Sequence, residues 1–144
     1  MRQILIVILV VCLTATTAFA ANYVLILGGV AGEKSFYDAF WGATSRFHQL
    51  LTDEYGYAPD QITFLFEDMG DIDRGGQGEL ELVDAESNRE QVLAAFERLA
   101  KTVQPSDRFL LFMLGHASRT GRGSAKFNLR GRDITEAELS LIHI

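Results

Sequence analysis

The apolar positions that follow residue 20 are grouped into three short, nearly continuous runs. These runs cover residues 22–27, 62–66 and 109–114, and glycine follows the first and the third. A short apolar run bounded by turn residues is typical of a strand that is buried on both faces of a sheet. The pattern therefore predicts three buried strands.

The segments between these runs have the spacing of amphipathic helices. Apolar residues recur every three or four positions over about 35–55, and again after the sequence SNRE at 87–90. This sequence is typical of a capping box, in which Ser87 caps the helix and Glu90 reaches back to the cap. We expect the aromatic residues of the first helix to lie in the core. The residues with helical spacing are Phe36, Phe40, Ala43, Phe47, Leu50 and Leu51 in the first helix, and Val92, Leu93, Phe96 and Leu99 in the second.

The order strand, helix, strand, helix, strand favours an α/β fold. We interpret it as a three-layer αβα sandwich with a mainly parallel sheet. Right-handed crossovers place the carboxyl ends of all three strands at one edge of such a sheet, and functional groups gather at that edge. The residues expected there are Gly28 and Gly29, Glu67 and Asp68, and Gly115 and His116.

The remaining segments are predicted as loops and one short helix. Residues 67–86 are rich in acids and glycines, which indicates an exposed loop with a short hairpin at 80–83. Residues 118–132 indicate a glycine-rich, basic loop. The sequence TEAE at 135–138 is a second capping box, which opens a helix.

The beginning of the chain has the organisation of a secretory signal peptide. Arg2 supplies the basic start, residues 4–13 form the apolar centre, and the sequence AFA at 18–20 matches a cleavage site. We therefore expect residues 1–20 to be removed before Ala21, and the mature chain to be secreted or periplasmic. Because the apolar run is too short to span a membrane comfortably, no stable membrane insertion is expected after cleavage.

Composition and charge narrow the classes of function. Hydrophobic residues make up 48% of the chain and charged residues 22%, which is an ordinary globular balance. The formal net charge of −6 becomes more negative when Arg2 leaves, and an acidic domain is a poor partner for nucleic acid. The only cysteine, Cys12, leaves with the signal peptide, so the mature chain has no disulfide, no thiolate metal site and no cysteine nucleophile.

His116 is the strongest candidate for chemistry. It follows the third apolar run and lies between Gly115 and Ala117, so it is expected at the mouth of the sheet. Histidine exchanges protons near neutral pH and is suited to work as a general base. The alternative is a histidine that only hydrogen-bonds loop backbone. We assign no role to His48 or His143.

Two further stretches are weakly similar to ligand-binding loops. Residues 28–32 follow a strand, as nucleotide-binding loops do, but they lack the G-x-G-x-x-G spacing, so a plain turn is favoured. Residues 71–76 are similar to the start of a calcium loop, but Leu82 stands where the bidentate glutamate belongs. A solvated acidic loop is favoured there, and we expect no metal and no cofactor.

An ordered set of segments resembles the caspase–hemoglobinase fold. The sequence FLLFMLGHAS at 109–118 is similar to the strand and histidine element of legumain-like cysteine peptidases and their bacterial exported relatives. Residues 23–29, 47–51 and 62–68 match the first strand, the end of the first crossover and the second strand. Residues 126–135 are similar to a segment that follows the histidine in bacterial members. The resemblance covers nearly the whole mature chain.

The resemblance implies an endopeptidase that acts on a peptide or protein substrate. A cysteine on the next strand would attack the scissile carbonyl, with His116 as the catalytic histidine. Backbone groups of Gly115 and Ala117 would help to hold the oxyanion. The residues expected to line the substrate cleft are Gly28, Gly29, Glu67 and Asp68.

This sequence departs from the family pattern in three ways. Ala117 stands where the family usually has glycine, and Ala39 stands where legumains have a substrate-binding arginine. No residue after His116 corresponds to the nucleophile strand. The sequence LSLIHI at 139–144 resembles translated sequencing-adapter readthrough, so we expect residues 140–144 to be a non-native tail. Residues 21–139 are then the N-terminal part of the domain, inactive by itself.

The second hypothesis is a non-catalytic, exported binding module on the same fold. Ala117 and the acidic loop at 67–86 favour it. A nucleotide-binding domain that uses residues 28–32 is a third and weaker hypothesis.

Overall fold

The structure, a computed structural model, describes residues 20–67, 80–119, 121 and 123–140. The expected signal peptide, apart from Ala20, lies outside the described residues. So do Asp68, the calcium-like stretch at 71–76 and residues 141–144 of the expected tail. Within the described ranges, every helix is too short or too polar to cross a membrane.

The centre of the fold is a four-stranded parallel sheet flanked by helices. Its strand order is β3-β2-β1-β4, and each neighbouring pair is parallel. This architecture confirms the predicted α/β class with a parallel sheet. In chain order the elements are β1 (Asn22–Gly28), α1 (Lys34–Asp53), β2 (Ile62–Phe66), β3 (Ala85–Glu86), α2 (Arg89–Thr102) and β4 (Arg108–Leu114), with short 3-10 turns at Pro59–Gln61 and Leu80–Leu82.

Strand β1 lies at the centre of the core, because its side chains alternate between two apolar layers. Val24 and Ile26 pack on the face that α1 covers, whereas Leu25 and Leu27 pack on the face that α2 covers. All four side chains are completely buried. An uninterrupted apolar run is therefore what a strand between two helical layers requires. Since α1 and α2 lie on opposite faces, the domain has three layers.

Strand β4 lies at one end of the described part of the sheet. It pairs with β1 along its whole length, from Asn22 against Arg108 to Gly28 against Leu114. No other described strand pairs with its second edge. Leu110 is 47% exposed, and its neighbours are only partly buried. Strand β4 is thus as apolar as a central strand, although it is an edge strand among the described residues.

The predicted basic loop at 118–132 is wrong, because this segment contributes to a second, antiparallel sheet. The sheet contains β5 (Ala117–Arg119), β6 (Ala125–Phe127) and β7 (Ile134–Thr135), in that order. Leu129 and Ile134 are buried in the layer that α2 shares with the main sheet. Their burial supplies the free energy that folds a glycine-rich segment back onto the domain.

The predicted hairpin at 80–83 is also wrong in the described residues. Leu80–Leu82 forms a 3-10 turn, and β3 then pairs parallel to β2. Asp84 determines this arrangement, since its N–H donates to the carbonyl of Phe64 at 2.8 Å and its carboxylate accepts from the N–H of Phe64 at 2.7 Å. These two bonds hold the segment alongside β2 instead of letting it fold on itself.

The two predicted capping boxes have different outcomes. Asn88, not Ser87, caps α2, because its side chain accepts from the N–H of Gln91 at 2.9 Å. Ser87 is fully buried, and no described group hydrogen-bonds its hydroxyl. The second box is confirmed at the start of α3 (Glu136–Ser140). There Thr135 Oγ1 accepts from the N–H of Glu138, and Glu138 accepts from the N–H of Thr135.

Glu138 also fastens α3 and the small sheet to α2. The Arg89 guanidinium donates to its carboxylate at 2.7 Å. The pKa of Glu138 is lowered from its ordinary 4.5 to about 2, first by the Thr135 N–H and then by Arg89 and the Thr135 hydroxyl. A carboxyl group with a lowered pKa stabilises the fold above its unfolded pKa, and this stabilisation is lost as the pH falls from about 4.5 to 2.

We therefore expect Glu138→Gln to be destabilising near pH 6 and clearly less destabilising near pH 2.5, where much of the stabilisation by the carboxylate has been lost. The measurement is urea unfolding of the two proteins across this range, read as the difference between their free energies of unfolding. Glu97→Gln, on the exposed face of α2, is the control for the loss of one surface carboxylate. A Glu138→Gln difference that is equal at both pH values would contradict the assignment.

Candidate functional site

The main candidate site lies where β1 and β4 end side by side. The N–H of Gly29 donates to the carbonyl of Leu114 at 2.9 Å, which brings the two chains together just beyond the sheet. A Cβ atom on Gly115 would lie 2.9 Å from Gly29 Cα and 2.7 Å from the Phe127 ring. Both contacts are too short, so glycine is required at 115 for space.

The loop that follows β1 is fixed by two consecutive backbone amides. The N–H of Val30 donates to the carbonyl of Asn128 at 3.0 Å. The N–H of Ala31 donates to Glu67 Oε2 at 2.9 Å. Because Asn128 follows β6 and Glu67 follows β2, the two acceptors come from different parts of the fold. The loop is therefore held by tertiary hydrogen bonds on both sides.

His116 reaches across this site to the same loop. Its Nε2 atom lies 3.1 Å from the carbonyl oxygen of Ala31. A carbonyl oxygen can only accept, so Nε2 carries the hydrogen, and in the neutral ring the Nδ1 atom keeps its lone pair. The N–H of Asn128 donates to the carbonyl of His116 at 3.0 Å and fixes the backbone as well. The imidazole is thus oriented with Nδ1 as its basic atom.

Two aromatic side chains from the start of α1 flank the imidazole. The rings of Phe36 and Phe40 contact the His116 ring edge to face, with centroids 4.7 and 5.3 Å away. Phe36 is 44% exposed, so the expectation that it lies in the core is wrong. Its position on the first turn of α1 leaves its outer surface in solvent beside His116. Trp41, one turn further on, packs against Phe64 and Phe66 in the core as expected.

The structure brings together most of the residues that the sequence placed at this edge. Gly28, Gly29, Gly115 and His116 are joined through the ends of β1 and β4. Glu67, a residue that is 9% exposed, contacts the same loop through its carboxylate.

Ala117 adopts an ordinary extended conformation. It begins β5 and pairs with Phe127. Every non-glycine residue in the described ranges has a negative φ angle. Alanine therefore fits at 117 without backbone strain.

The hydroxyl group beside the histidine belongs to a different interaction. Ser118 Oγ donates to Asn128 Oδ1 at 2.8 Å, and this bond stabilises the β5–β6 hairpin. Sequence reasoning missed Ala31 and Asn128, which orient His116 through their backbone atoms. No side-chain pattern could have revealed them, because backbone groups are the same at every position.

The other histidine that the structure describes packs elsewhere. The ring of His48 stacks on Phe64 at 6.0 Å, and its Nδ1 atom is buried with no hydrogen-bond partner among the described residues. Burial lowers the pKa of His48, and the nearby Asp84 and Asp53 carboxylates oppose this effect. In the described ranges, no three residues among His, Cys, Asp and Glu converge to hold a metal ion.

No model of a known protein family matches the chain, and no curated protein sequence matches it either.

We expect Gly115→Ala to lower the free energy of unfolding by about 1–3 kcal/mol, because the new methyl group overpacks the junction of β1 and β4. Gly42→Ala is the matched control, since a Cβ atom at this position in α1 meets nothing within 4 Å. Replacing a helical glycine should raise stability by about 0.5–1 kcal/mol. Urea unfolding of both variants tests the pair, and equal effects of the two substitutions would contradict the close approach.

Proposed function

We propose that this chain is the N-terminal part of an exported cysteine endopeptidase similar to caspases and legumains, with His116 as its catalytic histidine. The observation that carries the proposal is the fixed imidazole of His116 at the carboxyl end of β4. Its Nε2–H is held by the Ala31 carbonyl, and its Nδ1 lone pair is available as a base.

In the proposed reaction, His116 Nδ1 accepts the proton of a cysteine thiol. The thiolate attacks the scissile carbonyl carbon, a C–S bond forms, and the carbonyl electron pair moves onto oxygen. Backbone N–H groups at Gly115 and Ala117 are the proposed donors to this oxyanion. When the intermediate collapses, the C–N bond breaks and the leaving amine takes the proton from the imidazolium. Water then hydrolyses the thioester with the same histidine as base.

The edge of β4 that is unpaired among the described residues supports a position for the proposed nucleophile. The second edge of β4 pairs with none of the described strands, although the strand is apolar from Phe109 to Leu114. A further strand beside β4 would bury Leu110 and bring its carboxyl end next to His116. The Phe36 side chain, which is exposed beside the imidazole, supports a preference for substrates with an apolar side chain near the scissile bond.

Under this proposal the processed chain carries no thiol, because its only cysteine is Cys12. We expect no labelling when the secreted, processed chain is treated with a cysteine-directed probe and examined by intact-mass spectrometry. Ala100→Cys, on the exposed face of α2, is the positive control and should be labelled once. Labelling of the unsubstituted chain would show that Cys12 is retained and would contradict removal of residues 1–20.

The decisive test of function begins with the source locus beyond codon 139. The proposal expects a reading frame that continues into an apolar strand ending in cysteine. A frame with serine or no reactive residue at that strand would contradict the cysteine peptidase. It would favour the alternative, a non-catalytic exported binding module on the same fold.

The product of the complete frame is then assayed with a peptide library. We expect His116→Ala to lower kcat/KM by at least about 100-fold, the usual contribution of a positioned general base. His48→Gln removes an imidazole that packs on Phe64, outside the site, and should change kcat/KM by no more than a few fold. Equal activity of the parent and His116→Ala would refute the role of His116.

A further inference from the structure

The carboxylate of Glu67 is buried beside the candidate site. Glu67 is the first residue after β2 and is 9% exposed. Burying a carboxylate is costly unless hydrogen bonds compensate for the lost hydration. Among the described residues, its hydrogen bond is with the N–H of Ala31, 36 positions away in the chain. A charged side chain is thus used at the sheet edge to hold one backbone amide.

That backbone amide belongs to the residue that orients the histidine. Ala31 donates its N–H to Glu67 and accepts the Nε2–H of His116 with its carbonyl oxygen. The N–H and the carbonyl oxygen of Ala31 each make one of these hydrogen bonds, so holding the N–H in place restricts the position of the oxygen. Gly29 and Gly32 flank this short segment and do little to restrict it by themselves.

We propose that Glu67 is a positioning residue that holds the imidazole of His116 through the backbone of Ala31. Asn128 fixes the preceding amide, that of Val30, but the histidine contacts the Ala31 carbonyl. Glu67 therefore acts on the residue that His116 contacts. The positioning stands on geometry alone, whereas its consequence for catalysis rests on the proposed function.

The hydrogen bond, rather than the charge, is the feature that matters. Glutamine at 67 keeps an oxygen at the same distance along the side chain and can still accept from Ala31 N–H. Aspartate keeps the charge but is one methylene shorter, so it cannot reach the amide from the same backbone position. Alanine removes both the hydrogen-bond acceptor and the charge. These three variants separate hydrogen bonding from electrostatics at one position.

The test is NMR of the processed chain labelled with 15N at histidine. The readout is the exchange rate with water of the His116 Nε2–H proton, which the bond to Ala31 protects. We expect Glu67→Gln to retain the slow exchange, and Glu67→Ala and Glu67→Asp to accelerate it about tenfold. Asp107→Ala is the matched control, because Asp107 Oδ2 accepts from the N–H of Gln104 at 2.8 Å, beside the start of β4 at the opposite end of the sheet.

Parental exchange in Glu67→Ala would overturn the proposal. If that variant does not fold, parental exchange in Glu67→Asp would do the same. Fast exchange in Glu67→Gln would show that the charge of residue 67, and not its hydrogen bond, holds the His116 ring. Faster exchange in Asp107→Ala would show that lost stability alone accelerates exchange of the His116 proton. Either result would also overturn the proposal. The readout needs neither nucleophile nor substrate, so its failure is distinguishable from failure of the proposed peptidase.

Discussion

The close approach of two strand ends is the constraint on which the candidate site depends. Strands β1 and β4 run parallel and in register up to Gly28 and Leu114, and the chain then continues with a glycine on each side. The absence of side chains at Gly29 and Gly115 lets the backbones meet and lets the Phe127 ring pack over them. A larger residue at either position would separate the loop after β1 from the turn that carries His116.

The small antiparallel sheet is the second structural requirement. Its hairpin returns Phe127 and Asn128 to the sheet edge, where Asn128 bonds the backbone of both Val30 and His116. Glu138 fastens the end of this sheet to Arg89 on α2. The stability of the β5–β6 hairpin and the orientation of His116 are therefore linked, because the same segment supplies both the buried apolar residues and the backbone groups that hydrogen-bond to the site.

The core strands and the segments at the sheet edge have different roles in fixing the orientation of His116. The core strands bury nearly continuous apolar runs, which fix the position of the strand ends to within the packing tolerance of the interior. The groups that orient the imidazole are contributed by three segments far apart in sequence, at Ala31, Glu67 and Asn128. Ala31 and Asn128 each make two backbone hydrogen bonds, and Glu67 makes one to Ala31, so the site is a product of the sheet edge and not of any one loop.

The sequence by itself determined the strands and helices whose patterns lie within a single segment of the chain. Continuous apolar runs predicted β1, β2 and β4, helical spacing predicted α1 and α2, and the Thr135 capping box predicted the start of α3. It also placed His116 at the sheet edge, because a strand must end where its apolar run ends. Only the tertiary structure decided that β3 joins β2, that the basic segment forms a sheet, and that Phe36 is exposed beside the imidazole. These features depend on backbone hydrogen bonds and burial between residues distant in the chain, and such interactions leave no periodic pattern in the sequence.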